Sequence, residues 1–321
     1  MRAGRSSAPS SPAASVQAVT RIAGRATALG LVLVLAAVAV GATTPVPNVA
    51  GMMLTTTDFS GAKIVSQGKV TKGGYLAAYQ RTLRLATPYG RSAIIGIQSE
   101  GMVGKDSKQI ATDLAVVQQV FKSKEGRAGF VAGIAAKVHV TSAAVRLSTL
   151  RHPRIGDGAL EQPLSIDLGT ARTYESLLYL RLDRVLVLLV SVGTHPIAAT
   201  DSAALGRLVV GHVRQQLIPV NVKPPTVTGT ADLGQTLTAT PGTWSNSDVV
   251  FTYQWQRCDP SGQTCNDIDG ETQSTYGVVG ADAGFTLRVV VTATDRFGAP
   301  TADSDVTALV PVPPPPAPPT P

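Results

Sequence analysis

The segment TYQWQRCDPSGQTCNDIDG, Thr252 to Gly270, holds both cysteines of the 321-residue chain, Cys258 and Cys265. Tyr253 to Arg257 alternates like a strand, Asp259-Pro260-Ser261-Gly262 is turn chemistry, and Asn266-Asp267-Ile268 resumes a strand. The two cysteines therefore face each other near the end of a hairpin. A zinc site needs four ligands, usually from paired motifs, and His195 and His212 lie across a domain boundary from this pair. A redox couple has two residues between its cysteines and sits at a helix start. A structural disulfide in an exported protein fits instead, closing a short loop for about 2–3 kcal/mol.

Export is also written at the other end of the chain. Ala26 to Ala42, ATALGLVLVLAAVAVGA, is apolar and uncharged over 17 residues and follows Arg2, Arg5, Arg21 and Arg25. A basic stretch, an apolar stretch and small residues at the end make a secretory signal, with cleavage after Ala42. The same length also suits a retained anchor, giving membrane association through residues 26–42 if they are uncleaved. The arginines stay inside and everything after Thr43 lies outside, so an extracellular or cell-surface location is expected. No cysteine follows the apolar stretch, which excludes a lipid anchor there.

Charge divides the remainder. Residues 43–218 carry 20 basic and 11 acidic side chains, 20 − 11 = +9; residues 219–321 carry 4 and 10, 4 − 10 = −6. With four arginines before them, the parts sum to the net charge of +7. Two units with separate surfaces are expected. No basic run with interleaved aromatics occurs, so nucleic acid is not expected as a partner.

After a proline-punctuated linker, 43–51, alternation from Ala62 to Val70 and Tyr75 to Leu85 across Thr71-Lys72-Gly73-Gly74 predicts a hairpin. Arg91 to Glu100 reads as a third strand, and Gly101-Met102-Val103-Gly104-Lys105 as a polar turn. Ile110, Leu114, Val117 and Phe121 predict a helix opening at Asp106-Ser107; Gly126 interrupts it, and Phe130, Ile134 and Val138 predict a second. Strands resume at Ala144 to Leu150 and Ala159 to Leu168, where Pro163 argues for an edge or a bulge. Leu177 to Val192, divided by Asp183-Arg184, reads as the buried central hairpin. A last helix carries Leu205, Leu208, Val209, Val213 and Leu217 on one face. Residues 52–218 are thus an α+β domain, an antiparallel sheet with helices. After a linker, 219–225, residues 226–310 show short strands with frequent glycine and threonine, an all-β sandwich pattern. Residues 311–321 form a proline-rich tail.

The span from Pro224 to Asp259, with Ser274 to Asp295, resembles the bacterial immunoglobulin-like repeats of actinobacterial surface proteins. Gly234-Gln235-Thr236-Leu237, Pro241-Gly242-Thr243-Trp244, Tyr253-Gln254-Trp255, and Ala281-Asp282-Ala283-Gly284 before Leu287-Arg288-Val289 carry the likeness. It implies a β-sandwich with Trp255 in the core and no catalysis. Thr286 and Arg288 stand where antibody-type domains carry the corner tyrosine and second cysteine, so no inter-sheet disulfide is implied. Residues 52–218 resemble the exported PsbP/Mog1-like sensor or lipoprotein domains of actinobacteria, through Leu54 to Gly61, Ile155-Gly156-Asp157-Gly158-Ala159 and the late hairpin. That likeness implies ligand or partner sensing.

Catalytic motifs are absent from the sequence. His139, His152, His195 and His212 form no metal-ligand spacing, and no nucleophile elbow, phosphate loop or dinucleotide fingerprint occurs. Glu100, Asp157, Glu161 and Asp167 show no local pairing for glycoside chemistry, and Asp157 between two glycines is explained by turn geometry. Asn266 to Glu271 lacks the ligand pattern of a calcium loop. No cofactor is expected. The remaining lead is basic: Lys122, Lys124 and Arg127 at a helix junction, and Arg146, Arg151 and Arg154 along a strand and its exit loop, a surface for an anionic envelope polymer or lipid head groups. The expectation is an exported, non-enzymatic envelope protein binding a ligand or partner. An extracellular hydrolase or hydrolase accessory, and a structural wall component, are the alternatives.

Overall fold

The computed structural model describes residues 46–246 and 248–314, and the chain divides into two compact units near Gln216–Leu217. The expected signal or anchor, residues 1–42, lies outside the described residues, as does most of the proline tail. Among the described residues no helix is long and apolar enough to cross a membrane.

The first unit is built on one antiparallel sheet. Its strands are β1 (Lys63–Lys69), β2 (Ala77–Tyr89), β3 (Ile94–Val103), β4 (Val145–Leu147), β5 (Gly158–Asp167), β6 (Arg172–Leu182) and β7 (Val185–Gly193), in the order β1-β2-β3-β7-β6-β5-β4. The apolar hairpin β6–β7 is central, as its near-continuous Leu/Val run requires of strands covered on both faces. Asp183 turns it at φ 53°, and its N–H donates to the Asp157 carboxylate at 2.7 Å. The turn aspartate expected between two glycines therefore supports the neighbouring turn. β3 runs on through Gly101 to Val103, not into a polar turn, because Gly101 is where the sheet meets Met53: a Cβ there would lie 2.4 Å from its Cε.

Helices α1 (Ser107–Lys122) and α2 (Lys124–Val138) cover one face. Asp106 caps α1 by accepting from the Gln109 N–H at 2.7 Å. The break falls at Ser123, which caps α2 through the Gly126 N–H. Gly126 sits inside the first turn of α2, where a Cβ would come within 2.4 Å of the Val120 carbonyl oxygen. Val117, Phe121, Phe130 and Ile134 pack on Leu160, Leu164, Leu177 and Tyr179. Helix α3 (Ala199–Leu217) covers the other face, where Gly206 approaches Leu178 and Leu180. Leu205, Val209, Val213 and Leu217 are buried, but Leu208 is 39% exposed: the α3 contact is centred on Gly206, not on the leucine beside it.

Pro163 lies inside β5, paired with Ser176 of β6, while the ladder to β4 ends one residue away at Leu147–Leu164. Of the expected edge or bulge, the residue therefore marks an interruption of pairing and not an edge strand. The irregularity sits opposite it: β4 stops at Leu147 and pairing resumes at Arg151–Glu161. Where Pro163 has no N–H to give, the Gln162 amide donates to the Ser148 carbonyl at 2.8 Å.

The second unit contains strands β8 to β16. A three-stranded sheet orders β14 (Thr275–Gly277), β10 (Thr236–Thr240) and β9 (Thr226–Thr228); a four-stranded sheet orders β13 (Cys265–Asp267), β12 (Val250–Cys258), β15 (Thr286–Thr294) and β16 (Thr301–Asp303). Leu237, Ala239 and Tyr276 of the first meet Trp255, Leu287, Val289 and Val291 of the second in one apolar core, so the sheets pack face to face. The stretch expected as linker holds β8 (Asn221–Lys223), which pairs with β11 (Thr243–Trp244) and belongs to this unit.

Candidate functional site

Alternation along the first unit's strands sorts side chains between the two faces. Met102 and Leu186 pack on Ile110 of α1, and Leu188 and Val190 belong to the core under α1 and α2. Counting by twos, the same face carries Thr82 on β2, Gln98 and Glu100 on β3, and Thr173, Glu175 and Tyr179 on β6. All six are buried. The register sets Thr82 opposite Gln98, Gln98 opposite Val190 and Glu175 opposite Val192.

This polar strip is poorly satisfied. The Thr82 and Thr173 hydroxyls, both amide atoms of Gln98, both carboxylate oxygens of Glu175 and the Tyr179 hydroxyl have no hydrogen-bond partner. Native interiors pair nearly all such groups, and each orphan costs about 1–3 kcal/mol. Burial alone pushes Glu175 up to about 7, since no cation stands beside it. Tyr179, whose ring is 6.3 Å from that of Phe121, is likewise raised by burial and by the nearby Glu100 charge. Glu100 itself is compensated: Lys72 Nζ lies 2.8 Å from its Oε1. Beside it the Tyr75 hydroxyl donates to buried Asp113 of α1 at 2.8 Å, and burial raises both groups.

The six basic residues read from the sequence separate. Lys122, Lys124 and Arg127 are exposed around the α1–α2 junction. Arg127 lines a cleft of about 670 Å³ with Phe121, Val131, Leu147, Ser148 and Leu150, and Gln162 closes part of it. The cleft opens where β4 breaks. Arg146 faces the opposite side of the sheet from Val145 and Leu147, near Asp167, whose carboxyl is held below its usual range first by Arg172. Arg151 is committed: it reaches Glu161 at 3.2 Å and the Ile197 carbonyl at 3.0 Å. Arg154 is exposed in the exit loop.

Glu161 explains why Arg151 is not surface chemistry. It is buried on the α3 face, where the Ser176 and Ser202 hydroxyls donate to its Oε1 at 2.7 and 2.6 Å, locking α3 to β5 and β6. Asp201 plays the same part at the start of α3, accepting from the Ser92 N–H and hydroxyl. His212 sits 3.2 Å from Asp58, and His139 ends α2 in the left-handed region at φ 59°. No group of three or more metal-ligating side chains occurs among the described residues.

In the second unit Cys258 and Cys265 are direct cross-strand partners and form the disulfide. The Asp259 carboxylate gathers the N–H groups of Ser261, Gln263 and Thr264 and the Ser261 hydroxyl, which holds it down at about 2. Trp255 is fully buried, donates to the Gln273 carbonyl at 2.9 Å and stacks on Tyr276. Asp282, fully buried, accepts from Arg257 Nε at 2.8 Å and again from its Nη2, from the Tyr276 hydroxyl at 2.8 Å and from the Val279 N–H at 2.8 Å. The Asp-Ala-Gly signature of the sequence is thus a fastening point between β12, β14 and the turn before β15.

Glu175, Gln98 and the three hydroxyls escaped the sequence reading. The available signal was phase: Glu175, Leu177 and Tyr179 are two apart, so a glutamate shares a face with two core residues. No protein-family model matches the chain, and no curated protein matches it.

Proposed function

We propose that the chain is an exported, non-enzymatic protein of the cell envelope whose first unit binds a ligand or partner, with an immunoglobulin-like second unit as spacer or adhesive element. The observation that carries the binding reading is the cleft at the α1–α2 junction. Its lining joins the apolar Phe121, Val131, Leu147 and Leu150 to Ser142, Ser148, Thr149 and Gln162, and the Arg127 guanidinium stands at it with no hydrogen bond or ion pair to another described residue. Lys122 and Lys124 lie on either side of the Ser123 break. An unpaired guanidinium in a cleft of mixed apolar and hydroxyl-bearing side chains suits a carboxylate or phosphate carried on a partly apolar body. At the outer face of a cell that chemistry belongs to anionic envelope polymers or lipid head groups. The sensor-like reading of the first domain is supported by a sheet covered by helices on both faces, and the immunoglobulin-like reading by two facing antiparallel sheets around Trp255.

The test is retention of the purified chain on phosphatidylglycerol vesicles, on phosphatidylcholine vesicles and on isolated anionic wall polymer. Retention on one anionic material alone identifies the source. Arg127→Ala is expected to weaken it about tenfold or more without lowering stability. Equal retention on the neutral vesicles, or no effect of Arg127→Ala, contradicts the proposal.

A further inference from the structure

The polar strip on the helix-facing side of the sheet is a different place with different chemistry from the Arg127 cleft. It joins Thr82 and Gln98, cross-strand partners on neighbouring strands, to Thr173, Glu175 and Tyr179 on β6, with β7 between. β3 and β6 are two strand spacings apart, about 10 Å. Every one of these five side chains is nine-tenths or more buried, and seven of their polar atoms lack any partner. In a sheet whose neighbouring positions are filled by Leu177, Leu188 and Val190, apolar residues would have been cheaper at each site. So many groups without a partner in the chain, gathered in one row, are satisfied by something outside it, water or a ligand.

The identity of the groups narrows what that is. Four of the five, Gln98 and the three hydroxyls, both donate and accept, and none of the five is basic. The nearest cation, Lys72, is engaged by Glu100. An anionic ligand would thus find no counter-charge and would meet Glu175. A cation would have Glu175 and otherwise only neutral dipoles, since Glu100 on the same face is already paired with Lys72. Groups that both donate and accept, spread over about 10 Å with Val190 and Val192 between them, match a molecule whose hydroxyls also donate and accept and whose C–H faces are apolar. We propose that this strip is a binding site for a neutral, polyhydroxylated ligand of the saccharide or polyol class, hydrogen-bonded by Gln98 and Glu175 from opposite sides.

The experiment uses the full purified chain and three neutral probes, myo-inositol, methyl mannopyranoside and glycerol, with choline as a cationic and inorganic phosphate as an anionic control. Saturation-transfer NMR and calorimetry read binding, and melting temperature reads stability. The expected result is saturable binding of a neutral probe, about tenfold weaker in Gln98→Leu and in Glu175→Leu, and retained in Glu175→Gln. The ligand-free Glu175→Leu and Thr173→Val variants are expected to melt at or above the parent temperature, because each removes an unpartnered group. That second readout separates a binding strip from a structural one. Binding of choline or phosphate through these residues, without any neutral probe, overturns the ligand class. Failure of every probe to bind overturns the site whatever the variants' melting temperatures, and leaves an internally hydrated sheet. Arg127→Ala leaves neutral-probe binding unchanged, so this site and the anion cleft stand or fall separately.

Discussion

Both units bury carboxylates, and one from each, Asp282 and Glu175, are treated in opposite ways. In the second unit Asp282 collects an arginine, a tyrosine hydroxyl and a backbone N–H, and ties together three stretches of chain. In the first unit Glu175 has nothing. The difference extends beyond these residues: every described buried side-chain polar atom without a partner lies between Thr82 and His212, inside the first unit. A buried charge that is completely hydrogen-bonded is architecture. A buried carboxyl without a partner in the chain costs stability when charged. The contrast sets Glu175 apart both from Asp282 and from Glu161 and Asp201 of its own unit, which are hydrogen-bonded.

The largest effect is expected where the framework is cut. Asp282→Ala takes the acceptor from the half-buried Arg257 guanidinium, the Tyr276 hydroxyl and the Val279 N–H and should cost about 3 kcal/mol or more, read by denaturant unfolding of the full chain through the tryptophans, both of which lie in the second unit. Replacing both cysteines by serine should cost that unit about 2–3 kcal/mol, since the bridge closes a loop of separation 7. Next comes Gln162→Leu, expected at about 1 kcal/mol because the Ser148 carbonyl opposite Pro163 then loses its donor; unfolding of the first unit, followed by circular dichroism, checks it.

Acid separates the units further. Glu175 has its folded value raised to about 7 from 4.5, so the native state binds the proton more tightly than the unfolded chain over that window. Its unfavourable contribution is absent below about 4.5 and grows as pH rises toward 7, with a slope approaching 1.4 kcal/mol per unit. The first unit should therefore gain stability from this group on acidification from pH 7 to 5, and Glu175→Gln should flatten the gain. Asp259 works the other way: its folded value is depressed to about 2 from 3.8, so its contribution is present above 3.8 and lost as pH falls through 2. A melting profile from pH 7 to 5 in which both units move together breaks the comparison.

Much of the framework was legible because its signals are local. Asp106 precedes a helical period, the glycines around Asp157 mark a turn, and Cys258 and Cys265 flank turn residues; each structure follows from fewer than ten residues of chain. The polar strip was not legible, because its members are brought together by pairing at long range. Gln98 and Glu175 meet one face only through the order β3-β7-β6. A glutamine and a glutamate in alternating strands read as solvent-facing until both sheet faces are found covered by helices. Arg151 misled for the same reason: its partner Glu161 is ten residues on, across a broken edge strand. Leu208 was overvalued because periodicity counts leucines and not the glycine that lets two elements approach.

One pair of variants bears most directly on the division between framework and site. Glu175→Leu and Asp282→Leu each replace a buried carboxylate by a hydrocarbon of similar size, and equilibrium unfolding of the two full-length variants can be compared with the parent at pH 7. The account predicts opposite signs: Asp282→Leu loses about 3 kcal/mol or more, and Glu175→Leu is unchanged or more stable. A substantial loss in both would contradict it, for Glu175 would then be held by the fold as Asp282 is.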